Sequence, residues 1–416
     1  MLTRTHSRLS RRVLVIGAAA GAIVASLPRV SRAEPRPVRI GALHPVTGPF
    51  ADIGLACRLG AQLAVDLINA AGGIVSLDGA PLELLVGDTS AGAAAEAERL
   101  YNARARVLTG AFHSGHTAAA AGVARRRGLP FLIDTAIADA TVLPVLSGER
   151  VVIFRNFPTT TMFARRALQS LTEMSAEAQR PITRVTLMHT TDPLGTTQAR
   201  RLEAAYTALR PSFELLEFVP ISPRATSVSA EVTKVRAAAP DVLLLAVRPS
   251  VVGPLFTHLA RAPLATAAVL SVGTPDLADA ARVAGVGAAV ERVMELAAWP
   301  NLRNPSTQRL VEEFVKRSGG RRLDATAGYA HEAVLVVADA LERAASADAV
   351  PLAEALRRTS FANPLMVAAG PIAFDANGEN VNAVPAVLQI FGGRPVPVWP
   401  QSAAERPFAL SPAPRP

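Results

Sequence analysis

What most restricts the fold of this 416-residue chain is its regular alternation of short apolar runs with longer amphipathic or alanine-rich ones. Apolar stretches at 38–43, 82–86, 107–109 and 130–133 have the length and composition of strands, and helical stretches at 54–71, 91–103 and from Ser114 onward separate them. In the first of these helices Leu55, Leu59, Leu63 and Leu67 share one face, and Gly72-Gly73 ends it. Residues 76–80 (SLDGA) read as a hairpin turn. The alternation resumes with helices at 161–174, 196–209, 228–238 and 251–261 and strands at 185–189, 213–219, 242–247 and 268–272. Helices follow at 306–317, 325–345 and 352–358, and residues 370–399 read as strand and turn. Strand and helix alternating in this way build parallel sheets covered on both faces. The expected class is α/β, with two doubly wound parallel-sheet lobes. Ligands in such sheets bind beyond the carboxyl ends of the strands, which directs attention to the loops at His44, His113, Asp134, Thr190, Arg248 and Gly273.

Hydrophobic residues make up 50% of the chain, enough for sizeable cores in two or three domains. The first 33 residues stand apart. Ser10-Arg11-Arg12 precedes an uncharged apolar run over 13–27, and Ser31 and Ala33 put small residues where a signal peptidase reads. This predicts a twin-arginine export signal, cleaved before Glu34, and hence a periplasmic protein. The rival reading, a retained membrane anchor, is disfavoured because the run is short of the roughly 20 residues of a span. Six arginines of the net charge of +9 lie in this leader, and removing them leaves 37 basic against 34 acidic residues. With lysine only at 234 and 316 and few aromatics, no nucleic-acid partner is expected. Cys57 is the only cysteine, so no intrachain disulfide can form.

The stretch 107–127 (VLTGAFHSGHTAAAAGVARRR) carries the main candidate site. A helix starting at Ser114 would offer the N–H groups of its first turn, Gly115 among them, and the positive end of its dipole to a small anion. Serine is also a favoured N-cap, and the alternative reading is that Ser114 simply caps its own helix. Arg125-Arg126-Arg127-Gly128 is the pattern of a helix C-terminus and reads as structural. His113 and His116, with Asp134 at the end of the neighbouring strand, suggest a zinc site only weakly, since closed sites need four ligands in fixed geometry. A GxSxG elbow is absent, as are GxxxxGK[ST] and GxGxxG loops, so neither hydrolytic nor nucleotide chemistry has a foothold. No cofactor and no catalysis are expected. His44, Phe50 and Asp52 belong to the first loop, where contact with solute is expected, whereas Tyr329 and His331 read as core.

Ile40-Gly41-Ala42-Leu43 with Thr47-Gly48-Pro49-Phe50-Ala51, then Ile68-Asn69-Ala70-Ala71-Gly72-Gly73-Ile74, resembles the start of type I periplasmic binding proteins of the branched-chain amino acid class. The tail agrees, with Gly370-Pro371-Ile372, Phe374-Asp375, Gly378, Gln389, Gly392-Gly393 and a closing Val396-Pro397-Val398-Trp399-Pro400. The resemblance covers residues 38–400. It implies two lobes joined by a three-strand hinge, residues 34–157 with 299–372 and residues 158–298 with 373–416, which close on a solute. It also implies a monomer that delivers this solute to an ABC permease in the inner membrane or, less often, to a sensor. By the same resemblance Ser114 holds the ligand carboxylate and Ala136 contributes backbone groups. Elsewhere the chain departs from the family pattern: Ala138 stands for a threonine, Leu194 and Arg248 for tyrosines, and Gly273 or Thr274 for the acid that binds an amino acid's ammonium. A buried ammonium needs acceptors. Their loss, with the gain of Arg248, suggests a carboxylate ligand without an α-amine; Arg248 in a surface ion pair is the alternative.

Overall fold

The computed structural model describes residues 35–139, 150–272 and 277–411. The predicted export signal lies outside these residues, as does Thr274. Strands β1 (Val38–His44), β2 (Leu82–Asp88), β3 (Val107–Gly110), β4 (Phe131–Ile133) and β5 (Ile153–Arg155) form an all-parallel sheet in the order β2-β1-β3-β4-β5. Strand residues alternate between two cores. Ile40, Val107, Leu132 and Phe154 face α1 (Ala51–Ala70) and α10 (Ala325–Ala344). Leu43, Leu108, Phe131 and Ile133 face α2 (Ala93–Asn102) and α3 (Ser114–Arg127). This double covering is why the strands read as continuous apolar runs.

The second sheet repeats the order. β6 (Arg184–Thr190), β7 (Glu214–Ile221), β8 (Val242–Ala246), β9 (Ala268–Val272) and β10 (Met294–Ala297) run parallel as β7-β6-β8-β9-β10. Leu187, Leu244 and Leu270 pack under α4 (Thr160–Glu177) and α5 (Pro193–Leu209). Met188, Leu243 and Leu245 pack under α6 (Ser229–Ala238), α7 (Pro249–Arg261) and α8 (Ala280–Val286). The tail adds β11 (Ala386–Phe391) and β12 (Arg394–Trp399) antiparallel to this edge, so the second sheet is mixed rather than purely parallel. Two doubly wound sheets are therefore present, as the alternation predicted.

The chain passes between the sheets three times: after β5, after β10 towards α9 (Pro305–Arg317), and after α11 (Ala349–Arg357) towards β11. These passages are tied together. Glu332 of α10, fully buried, accepts from Asn156 Nδ2 at 2.6 Å and from the N–H groups of Leu365 at 2.5 Å and Met366 at 3.2 Å. Asn156 Oδ1 in turn accepts from Asn380 Nδ2 at 3.0 Å, and Met366 is bridged to Pro300. Residues 374–380 run beside β5, with the Phe374 ring 5.2 Å from that of Phe154.

Some expectations shift in detail. Helix α1 begins at Ala51 and α5 at Pro193, each about one turn earlier than predicted, and the turn read at 76–80 is a chain reversal built on a 3-10 turn at Val75–Leu77 and closed by an antiparallel Ile74–Ala80 bridge. The arginines at 125–127 do end α3, and Gly128 supplies the left-handed residue there at φ 60°. Tyr329 and His331 are core residues, as expected. Helices α1 and α10 cross so closely that a Cβ on Gly60 would lie 2.2 Å from the Ala327 carbonyl oxygen. Gly60 also offers its own carbonyl to His331 Nδ1 at 3.0 Å.

Burial lowers the His331 pKa to about 4 from 6.5, with the Gly60 bond opposing. The native state thus resists protonation that the unfolded chain accepts below pH 6.5. Stability should fall as pH drops from about 6.5 towards 4, by roughly 3 kcal/mol in all. Urea titrations across that range are expected to show this extra acid sensitivity in the wild type and its absence in His331→Asn. Cys57, on the buried face of α1, has its thiol pushed well above the usual range by burial, with the nearby carboxylates Asp134 and Asp324 adding to it.

Candidate functional site

In the first sheet the order reverses between β1 and β3, and the crevice beyond their carboxyl ends is where an open α/β sheet receives its ligand. β1 closes with His44, whose Nε2 donates to Asp134 Oδ2 at 3.0 Å; both side chains are buried. The Thr135 hydroxyl donates to the other oxygen of Asp134 at 3.1 Å. Asp134 is thereby committed to His44 rather than to His113 and His116, whose rings pack on each other at 4.9 Å. Among the described residues no group of three or more His, Cys, Asp or Glu side chains is placed to hold a metal.

Helix α3 starts at Ser114, as expected, but the N-cap position falls on His113, whose side chain makes no capping bond. Ser114 is therefore not the cap of its own helix. Its Oγ instead accepts the Ala138 N–H at 3.3 Å, bringing together two of the predicted ligand contacts. Gly115 is exposed in the first turn of α3. Phe50 is half-exposed, and its ring lies 5.5 Å from that of Phe112.

Beneath this loop lies Arg155, which the sequence reading passed over. It is fully buried at the end of β5, and its Nη1 donates to the carbonyls of Ala136 at 3.0 Å and Ala138 at 2.7 Å. Its Nε donates to Glu379 Oε2 at 2.9 Å, and its Nη2 to Glu379 Oε1. One guanidinium thus fixes the loop that carries Ala136 and Ala138, and it occupies one acceptor position of each carbonyl. The signal available was a charged residue closing an apolar strand, in Val151-Val152-Ile153-Phe154-Arg155.

The second sheet has its own reversal between β6 and β8. Asp192 caps α5 there, and a Cβ on Gly195 would meet the Thr190 carbonyl oxygen at 2.2 Å, so only glycine allows this tight entry. Asp192 Oδ1 accepts from the Thr190 hydroxyl at 2.6 Å and from the Gly195 N–H at 3.5 Å. Its Oδ2 accepts from Arg248 Nε at 2.6 Å, and Nη2 of the same guanidinium lies 2.6 Å from that oxygen in the ion pair. Burial alone would raise the Asp192 pKa, but these hydrogen bonds and the Arg248 charge hold it below the usual carboxylate range. Arg248 thus stands in an ion pair with Asp192, its side chain still 44% exposed. Leu194 lies half-buried in the first turn of α5. Asp192 and Phe112, which sequence reading did not single out, are partners of the candidate residues Arg248 and Phe50. An Asp-Pro step opening a helix is a capping signal and gave no hint of the arginine partner.

Comparison with known proteins accords with this geometry. The family model described as "Periplasmic binding protein" matches residues 37–394. A Leu/Ile/Val-binding protein homolog 8 from Brucella abortus is 34% identical over 167 residues, 39% of this chain, and the match spans 39% of that relative's length. An ABC transporter substrate-binding protein from Desulfitobacterium hafniense, solved in complex with Leu, superposes with a TM-score of 0.69 at 20% identity, covering 86% of this chain and 99% of that one. A solute-binding protein of an ABC transporter from R. palustris, solved in complex with benzoate, gives a TM-score of 0.63 at 19% identity, covering 91% of this chain and 98% of that one. With the family model spanning both sheets and all three passages between them, the chain belongs to the periplasmic binding protein family.

Proposed function

We propose that this protein captures a small organic acid, bearing a carboxylate and no α-amine, between its two lobes and delivers it to an ABC permease in the inner membrane. In this reading residues 1–33 direct export by the twin-arginine route, and the mature chain works as a monomer in the periplasm. Residues 34–157 with 299–372 close on residues 158–298 with 373–416 about the three passages. The carboxylate is held by the Ser114 hydroxyl and the first-turn N–H groups of α3, with Phe50 beside it. Leu194 and Arg248 meet it from the other lobe.

One observation carries the choice of ligand: the acceptors an ammonium would need are already engaged. The Ala136 and Ala138 carbonyls each give one lone pair to Arg155, and the Asp192 carboxylate receives Thr190, Gly195 and Arg248 Nε, with its charge balanced by the Arg248 guanidinium. An α-ammonium shut into this groove would lose its water without replacement, which is strongly unfavourable. Among related folds, the Desulfitobacterium protein was solved with Leu and the R. palustris protein with benzoate, so the scaffold accommodates both kinds of solute.

Titration calorimetry against leucine, valine and a set of amine-free acids tests the reading. Amine-free acids are expected to bind more tightly, and Ser114→Ala should weaken them about 10- to 100-fold, the worth of one hydrogen bond to a charged group. Tighter binding of leucine or valine than of every amine-free acid would sink the proposal.

A further inference from the structure

Residues 136–139, which follow β4 of the first sheet, divide their bonds between the two halves of the molecule. The even members are tied to the first sheet and its helix: the Ala136 and Ala138 carbonyls accept Arg155 Nη1, and the Ala138 N–H donates to Ser114 Oγ. The odd members are fastened to helices that pack on the second sheet. The Ile137 carbonyl accepts the N–H of Thr160 at 2.9 Å and its hydroxyl at 3.1 Å, and the Ile137 side chain packs against the second sheet's core. Asp139 Oδ1 accepts the Thr161 N–H at 3.2 Å, and Oδ2 pairs with Arg201 Nε of α5 at 2.9 Å.

Both sets of contacts have a physical use. Thr160 and Thr161 open α4, so their N–H groups have no partner within the helix, and the Thr159 side chain caps only the Met162 N–H. The segment supplies the two missing acceptors, and the Asp139 carboxylate stands at the positive end of the α4 dipole. On the other side, the Ala138 N–H decides what Ser114 can do. A hydroxyl has a single hydrogen to give. With its oxygen accepting from Ala138, that hydrogen is turned away from Ala138 and is the one an anion at the start of α3 would receive.

We propose that Asp139 and Arg201 are positioning residues for the solute seat: their ion pair holds residues 136–139 so that the Ala138 N–H stays on Ser114 Oγ and the serine stays a donor. The seat is then ordered only while α4 and α5 stand against the first lobe. By reciprocity, filling the seat holds the two halves together by the same free energy. This rests on the reading of Ser114 as a carboxylate contact given above and adds the second lobe's hold on it.

The deciding measurement is amide hydrogen exchange on the whole exported protein without solute, followed by NMR at Ala138 and Thr161. Arg201→Gln is expected to speed exchange at both about two- to fivefold, the worth of a half-exposed ion pair. Ser114→Ala should speed exchange at Thr161, which it does not touch, by up to the same factor. Arg200→Gln removes an equal charge from the neighbouring exposed position of α5 and should change neither amide. In an Asp139→Asn background, Arg201→Gln should add little. Calorimetry with benzoate should show the same two- to fivefold loss of affinity in Arg201→Gln, fading at high salt. Thermal melting of each variant checks that the fold is intact. Unchanged exchange at Ala138 in Arg201→Gln, an equal change in Arg200→Gln, additive losses in the double variant, or wild-type affinity for bound benzoate overturns the proposal. Binding of leucine but not benzoate removes the acid-binding reading, and the exchange at Ala138 then decides the positioning role alone.

Discussion

Arg155→Met is expected to lower the free energy of unfolding by about 3 kcal/mol, because it strands the partly buried Glu379 carboxylate and the carbonyls of Ala136, buried, and Ala138, partly buried, at once. The side chain is fully buried and binds Ala136, Ala138 and Glu379 together, so methionine fills its volume and satisfies none of the three. Arg155→Lys should recover little, since an ammonium cannot fork onto Glu379 while reaching two carbonyls. Glu379→Gln should cost less, and the double variant less than the sum, because the two residues share one network. Affinity for the solute should fall as well, by roughly tenfold, the worth of one displaced hydrogen bond, because the loop that meets Ser114 through the Ala138 N–H loses its support. Guanidinium titration and calorimetry measure the two effects separately. An unchanged unfolding midpoint in Arg155→Met would remove the guanidinium from this role.

Glu332→Ala should cost about 3 kcal/mol or more, since it orphans Asn156 Nδ2 and the N–H groups of Leu365 and Met366 in a buried setting. Glu332→Gln keeps an acceptor oxygen for the two backbone groups and should cost less. Burial raises the Glu332 pKa against the hydrogen bonds from Asn156, Met366 and Leu365 that lower it. The native state therefore keeps this proton to higher pH than the unfolded chain does. That contribution to stability is complete below the unfolded value of 4.5 and is lost as pH rises through the folded one. The trend is opposite in sign to that of His331, and Glu332→Gln should abolish it. Denaturant titrations of both proteins between pH 4 and pH 8 compare the slopes directly. Equal slopes in wild type and Glu332→Gln would show that the carboxyl does not change its protonation on unfolding.

Much of the scaffold was legible because burial on both faces leaves strands as unbroken apolar runs between alanine-rich helices. β1, β3, β6, β8 and β9 all announce themselves in this way. The strands passed over were the short ones. β5 spans three residues and ends in an arginine, and β10 spans four, with Glu295 in its middle. A charged residue inside so short a run reads as loop until its partner is known, and for Arg155 that partner lies 224 residues away. The start of α3 and the position of Arg248 beyond β8 followed from chain order. The side-chain pairings at both places did not, because Ser114 meets Ala138, and Arg248 meets Asp192, across turns whose geometry only the folded chain defines. Glu332 left a usable trace, an acid on the buried stripe of a helix whose other buried residues are mostly Ala, Val and Leu.

The enclosure of Cys57 has a practical corollary for anyone wishing to watch the lobes move. Its thiol is sealed on the inner face of α1 and holds its proton far above neutral pH, so it offers little thiolate to alkylating dyes or to a neighbouring copy. The native chain is in effect silent towards maleimide chemistry. A cysteine introduced on the rim of either lobe would then be the single reactive handle, and a fluorophore attached there would turn the protein into a reagentless sensor without the need to engineer Cys57 away.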